Sequence, residues 1–295
     1  MNPLELFKTP EVKNLLIDTY SRNFKKAEVN PDYAADFINY IWENKDTKTT
    51  AEIYLYIKEI YKKGRRERNV KIITEIPLWD LFDLSQYKNF LDIGCNNMFS
   101  INLLAQQYPK MNFTAIDIVD QKRDFYAPER SQFIKIQSNW QDIELKEQSF
   151  DVINIKYVLH HFQDKQLIHK VLDICNKALS KNGILIFWEE TFDKDFDLEK
   201  TKKENTEKNI QTDYDLAQRL YNLSDDQKFE FIIMNDWLIN YTNPEMPWNN
   251  NYHNWQQWKE LLQEHNFTCI KTYNLGIRTN GLLTQGSHMI GIFKK

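Results

Sequence analysis

Residues Leu91-Asp92-Ile93-Gly94-Cys95-Asn96-Asn97-Met98 read as the end of a buried strand, a tight turn and the entry to a helix. Such a turn sets backbone N–H groups and a helix N-terminus at the carboxyl edge of a sheet, where ligands bind in open α/β folds. Gly94 lets a ligand approach the main chain with no Cβ in the way. The surrounding pattern agrees. Short apolar runs at Asn89–Gly94, Phe113–Ile118, Phe133–Ile136, Phe150–Ile155 and Gly183–Glu190 read as strands. Helical spacing lies between them, through Leu103, Leu104 and Tyr108, and again through Leu167, Ile168, Val171, Leu172 and Ile174. Continuous apolar strands bounded by helices predict a doubly wound α/β fold with a parallel sheet covered on both faces. Phe267–Gly276 and Ser287–Lys295 are two further strand-like segments. Gly286-Ser287-His288-Met289 mimics an expression-vector scar, but it lies within an apolar run and is read as native strand.

Outside this region the spacing is helical. Leu15, Leu16, Thr19 and Tyr20 share a face, as do Tyr33, Phe37, Ile38 and Ile41, and then Ile53, Tyr54, Ile57, Ile60 and Tyr61. Pro31 opens the second of these helices, residues 47–50 cap the third, and Gly64 is expected to end it. The cations at Lys62, Lys63, Arg65, Arg66, Arg68 and Lys71 complement a helix C-terminus, with a phosphate or nucleic-acid contact as the alternative. The organisation expected is a helical N-terminal cap over 1–86 and an α/β domain over 87–295, with a helical lid inserted at 191–264. Within the insertion, Leu198–Asn209 is a mixed-charge segment expected to be an exposed helix or a mobile stretch.

Composition narrows the function classes. A chain of 295 residues, 42% hydrophobic and 27% charged, is neither disordered nor collagenous nor disulfide-stapled. Seven glycines and eight prolines argue against an all-β protein. A net charge of −4 disfavours a dedicated nucleic-acid binder. Cys95, Cys175 and Cys269 are far apart with no CxxC pair, which suits a reducing compartment and offers no zinc or other metal site. No stretch approaches the ~20 apolar residues of a membrane span. The expectation is a soluble, cytoplasmic protein with no membrane partner; its oligomeric state is left open.

The stretch Leu91–Met98 resembles motif I of class I S-adenosylmethionine-dependent methyltransferases, whose usual form is LDIGCGxG, and the ubiquinone/menaquinone-biosynthesis type among them. In that family the loop holds the methionine end of the cofactor. Asp117 follows at the end of the second strand, where a carboxylate can accept both ribose hydroxyls. Asn139 and Trp140 occupy places where the family has an adenine-contacting Asp and a small residue, so Asn139 can serve through its oxygen and Trp140 can stack on the purine. Phe150–Ile153 with Val158–Phe162 resembles the fourth strand and its loop, and Leu179–Leu185 the turn into the fifth. The resemblance covers about residues 86–190 and extends to the last two strands. It implies a Rossmann-like, seven-stranded sheet, mostly parallel with an antiparallel last strand. It also implies a cofactor set of Asp92, Gly94, Cys95, Asn96, Asp117, Ile118, Asn139, Trp140 and Lys156, binding S-adenosyl-L-methionine and releasing S-adenosyl-L-homocysteine. Two motif glycines are replaced, by Asn96 and Met98. Asn tolerates left-handed backbone; Met98 lies along the cofactor or turns into the sheet, or else marks a weakened site.

The acceptor is read by elimination. Asn154-Ile155-Lys156-Tyr157 contains no proline, so it lacks the Asn/Asp-Pro-Pro-aromatic loop of nucleic-acid amino methylation. The Pro-Cys nucleophile of cytosine C5 chemistry is absent, and the Asp of a ribose-methylating tetrad has no counterpart. What remains is an oxygen, nitrogen or carbon acceptor on a small molecule, or a protein side chain; the expectation taken is an O or N acceptor on a small molecule. His161-Phe162-Gln163-Asp164-Lys165 resembles the loop of phosphoethanolamine methyltransferases whose His helps deprotonate the acceptor, against the alternative of an orienting role. His160 is a further catalytic candidate, with packing as the competing account. Glu189 and Glu190 border the same cleft as candidates for catalysis and substrate binding, and Lys156 is a candidate for an anionic substrate group. Asp236, Trp237, Tyr241, Tyr252, His253 and Trp255 are candidates for a substrate lid, with a helix-to-sheet core as the competing account. The alternatives to a small-molecule enzyme are an RNA methyltransferase footed on the basic stretch and a non-catalytic S-adenosylmethionine-binding regulator.

Overall fold

A computed structural model describes residues 2–67, 78–96, 98–118, 131–135, 143–162, 164–240, 251–279 and 284–295. The chain divides into two compact units: 1–76 with 190–252 and 274–288, and 77–189 with 253–273 and 289–295. Asn139, Trp140, Tyr241, residues 68–71 of the basic stretch and the side chains of residues 61–67 lie outside what is described.

The first unit is helical. It holds α1 (Pro3–Leu6), α2 (Pro10–Lys26), α3 (Asp32–Asn44), α4 (Thr50–Glu67), α7 (Leu198–Glu207), α8 (Tyr214–Tyr221) and α9 (Asp225–Ile239). Pro10 opens α2, Lys25 and Lys26 sit in its last turn, and its buried face runs Val12, Leu15, Leu16, Thr19, Tyr20, Asn23 and Phe24. Two amides before α2 are closed from afar, because Glu230 Oε1 of α9 accepts from Lys8 N at 2.9 Å and Thr9 N at 2.8 Å. Helix α9 starts in a Ser224/Gln227 capping box and is buried almost all round between Lys228 and Leu238. Thr49 and Glu52 cap α4 reciprocally. Gly64 does not end that helix, which continues through the basic residues to Glu67; a mid-helix glycine costs only about 1 kcal/mol, which the rest of the turn overcomes. Within Leu198–Asn209, Leu198–Glu207 forms α7, capped by Asp197.

The second unit carries the sheet. Its strands are β1 (Asn89–Ile93), β2 (Asn112–Asp117), β3 (Ser131–Lys135), β4 (Phe150–Lys156), β5 (Leu179–Glu190), β6 (Thr268–Thr279) and β7 (Thr284–Lys294), in the order β3-β2-β1-β4-β5-β7-β6. The far ends of β5, β6 and β7 count with the first unit. The first five strands pair in parallel. Thr191 N, just past β5, donates to Ser287 O near the start of β7, so β7 runs antiparallel to β5. Helices α5 (Phe99–Gln107), α6 (Lys165–Ala178) and α10 (Trp255–Glu264) complete this unit.

Strand alternation sends neighbouring residues to opposite faces. Phe187 packs with Trp255, Trp258 and Phe293 on one face. Trp188 packs with Trp79 and Phe82 on the other, where Trp79 also meets Phe90. These contacts join Trp79 and Phe82 to the sheet unit. Trp255 and Trp258 of α10 are fully buried in the core of this unit. Ser287–Met289 is buried strand. Strand order reverses between β1 and β4, and such a switch point opens a crevice at the carboxyl ends.

Between Phe150 and Val152 the β4–β5 register jumps from Leu179 to Ile184, leaving extra residues on β5 around Gly183. A Cβ at Gly183 would lie 2.7 Å from Leu179 Cδ1 and 2.8 Å from the Asp151 carbonyl oxygen. Gly183→Ala is expected to lower stability by about 1–3 kcal/mol, read as a lower denaturant midpoint at unchanged slope; an unchanged midpoint would show that the bulge does not need glycine.

Candidate active site

The turn after β1 is held by main-chain bonds. Gly94 N and Cys95 N both donate to Ile116 O of β2, at 2.8 and 3.2 Å, and Met98 N donates to Cys95 O at 2.8 Å. Gly94, Asn96 and Met98 have φ of 71°, 48° and 61°. Every second residue of the turn is therefore left-handed, the region that glycine enters most cheaply. Gly94 is required twice over, since a Cβ there would fall 2.0 Å from Val158 Cγ2. Asn96 is exposed and adopts the conformation easily. Met98 begins α5 and buries its side chain to 2% exposure. It keeps the backbone of a glycine position while its thioether goes into the interior.

Asp117 stands at the end of β2, the neighbouring strand. Its Oδ2 accepts from Asn96 N at 2.7 Å, which ties the carboxylate to the turn. Ile118 beside it is 41% exposed, an apolar surface next to a carboxylate. Asp92, before the turn, is buried, and its Oδ1 accepts from Asn154 Nδ2 at 2.7 Å. Burial pushes its carboxyl up to about 6; Asp117 adds to that rise, and the Asn154 bond and Lys156 oppose it. Lys156, at the end of β4, lies over the rings of Trp188 and Tyr157, 5.2 and 5.5 Å from their centres.

After β4 the chain turns sharply. Tyr157 is left-handed (φ 56°), and its N–H donates to Trp188 O. A single 3₁₀ turn, Leu159–His161, follows. Glu189, fully buried in β5, accepts from Leu159 N through Oε1 and binds His160 Nδ1 through Oε2. His160 Nε2 lies 3.0 Å from His161 Nε2. The three side chains form one hydrogen-bonded series, with His160 buried and His161 partly exposed.

The other candidates have partners within their own units. Glu190 faces the opposite way from Glu189 and binds His288 Nε2 at 2.9 Å. Asp236 accepts from Tyr252 OH at 2.6 Å and Asn240 Nδ2 at 2.8 Å. Trp237 is fully buried and stacks on Tyr54 at 4.9 Å. His253 belongs to the second unit, stacked on Trp258 at 4.7 Å. The sequence reading passed over Asn154 and His288, although each is a polar residue inside an apolar strand. That signal marks a partnered buried group, since such a group is costly unpaired.

A family described as Methyltransferase domain matches residues 84–266, well over half of the chain. The chain belongs to that family. No curated protein matches it by sequence. Solved structures similar to it include human N-acetylserotonin methyltransferase in complex with S-adenosylmethionine (13% identity, 85% of this chain and 58% of that one, TM-score 0.48). Others are the 1,6-didemethyltoxoflavin-N1-methyltransferase of Burkholderia thailandensis (14%, 70% and 70%, TM-score 0.44) and the N-methyltransferase NodS of Bradyrhizobium japonicum (14%, 72% and 81%, TM-score 0.42). The chain thus spans 58% of the human enzyme's length. Among the described residues no helix is long and apolar enough to cross a membrane.

The turn and carboxylate fit the family's cofactor: three left-handed positions and Asp117 on the adjacent strand, bound to the same turn. Replacing Asn96 or Met98 by glycine separates backbone from side chain. Asn96→Gly is expected to leave stability within about 1 kcal/mol, because relief of the left-handed strain is offset by unfolded-chain entropy. Met98→Gly is expected to cost about 2–4 kcal/mol, since the lost buried side chain outweighs that relief. Thermal unfolding of the two variants checks this; equal stabilities would show that Met98 has no packing role.

Proposed function

We propose that the enzyme methylates an oxygen or nitrogen of a small molecule, with Gly94, Cys95, Asn96, Asp117 and Ile118 holding the cofactor and His161 acting as general base. The observation that carries this reading is the Glu189–His160–His161 series at the ends of β4 and β5, the same sheet edge as the Gly94 turn. When bound, S-adenosylmethionine supplies a methyl group already activated on a sulfonium. The chain's own residues then have two tasks, aligning the acceptor and removing its proton.

The hydrogen-bond roles follow from Glu189. An ionised carboxylate only accepts, so His160 Nδ1 carries a proton and His160 Nε2 is left as an acceptor. His161 Nε2–H then donates to it, which leaves the basic lone pair on His161 Nδ1. As the acceptor's O–H or N–H gives up its proton to that nitrogen, the new imidazolium is stabilised through His160 by the buried charge of Glu189. Glu189 and His160 are positioning residues in this scheme, and His161 is the catalytic one.

His161→Ala is expected to lower kcat by about 10²–10⁴-fold while S-adenosylhomocysteine affinity stays near that of the unaltered enzyme. Glu189→Gln should lower kcat and move the pH profile of kcat. The assay uses methyl-tritiated S-adenosylmethionine with a panel of phenols, catechols and primary amines. Undiminished transfer by His161→Ala removes the base assignment, and labelling of RNA in place of every small acceptor removes the substrate class.

A further inference from the structure

Asn154 is fully buried in the middle of β4, among Val152, Ile153 and Ile155. Sheet register places Asp92 of β1 directly beside it, and places Trp188 of β5 beside Lys156, two residues further along the same face of β4. A buried amide can be turned two ways, and here its neighbours choose. The indole N–H of Trp188 can only donate, and it donates to Asn154 Oδ1 at 2.8 Å. The amide nitrogen must therefore face the other way, toward Asp92 Oδ1 at 2.7 Å. Trp188 is itself fixed by Trp79 and Phe82 on its ring.

We propose that Asn154, oriented by Trp188, is a positioning residue that presents Asp92 as an ionised, aimed acceptor at the cofactor turn, and that cofactor binding selects this ionised state. The proposal rests on the reading that the Gly94 turn holds the amino-acid end of the cofactor, an end that bears an ammonium. A fixed carboxylate oxygen is the complement of an ammonium, whereas a protonated carboxyl is not. The groups facing Asp92 are Asn154 and Lys156 from β4, which favour the charged form, and Asp117 from β2, which with burial opposes it. With the amide locked, the charged form gains a donor; with the amide free to flip, its oxygen can face the carboxyl and favour the protonated form.

The test follows the Asp92 carboxyl carbon by NMR through a pH titration of the unliganded protein. The unaltered chain is expected to titrate near pH 6. Asn154→Leu should move the midpoint up by about one unit. Trp188→Phe, which leaves Asp92 untouched, should move it in the same direction; a merely structural role for Trp188 would lower the melting temperature and leave the midpoint in place. A third measurement needs no variant: calorimetry of S-adenosylhomocysteine binding at pH 6, in buffers of different ionisation enthalpy, should show about half a proton released per site. Unmoved midpoints in both folded variants, or binding without proton release, would overturn the proposal. Failure of S-adenosylhomocysteine to bind would sink the cofactor-site reading instead, and the unliganded titration would still decide the role of Asn154.

Discussion

A left-handed main-chain turn squeezed between two strands sets the terms for the rest of the second unit. Gly94 has no room for a side chain because Val158 occupies the space a Cβ would fill. Its amide and that of Cys95 are bound to Ile116 O. Three alternate residues take positive φ, which Gly94 and Asn96 enter easily and Met98 only with neighbouring bonds to hold it. The result is a short arc of backbone at the edge of β1, with the Asp117 carboxylate tied to it through Asn96 N. Helix α5 can start at Phe99 only after this arc has closed.

From there the sheet distributes chemistry by parity. Along β4, Asn154 and Lys156 share one face while Ile153 and Ile155 fill the core on the other. Along β5, Phe187 and Glu189 look one way and Trp188 and Glu190 the other. Glu189 reaches the histidine turn, Trp188 reaches Asn154, and Glu190 reaches His288. A shift of one residue in the β4–β5 register would exchange all of these roles. The irregularity at Gly183 lies at the opposite end of the strand pair, where Phe150 pairs with Leu179, so it leaves the pairing of Val152–Lys156 with Ile184–Trp188 continuous.

Much of this was legible in the sequence. The apolar runs located all seven strands to within a few residues, except that β5 begins at Leu179, because a three-residue bulge does not look like strand in the one-dimensional pattern. The motif around Gly94, Asp117 as its partner, and the histidine pair before α6 were visible as residue types at the right spacing. What stayed hidden was pairing between strands. Asn154 appeared only as one polar residue in a buried run, and nothing nearby in sequence names Trp188 as its partner, 34 positions away. For the tryptophans the sequence left two accounts open. Trp237 and Trp255 sit in segments of helical spacing, and aromatic rings that line a lid and rings that fill a core have the same spacing; only packing on Tyr54 or Phe187 separates them. Gly64 likewise looked like a stop because glycine often ends helices, whereas the turn around it continues.

The account stands on the Gly94 turn and the Asp117 carboxylate holding a single ligand between them. The direct measurement is calorimetric titration of S-adenosylhomocysteine into the full chain and into Asp117→Asn, an isostere that still accepts from Asn96 N but has one acceptor oxygen fewer. The account predicts one site per chain, and an affinity about tenfold or more lower in the variant, the size of a lost charged hydrogen bond. Equal affinities, or no binding by the folded unaltered chain, would contradict it.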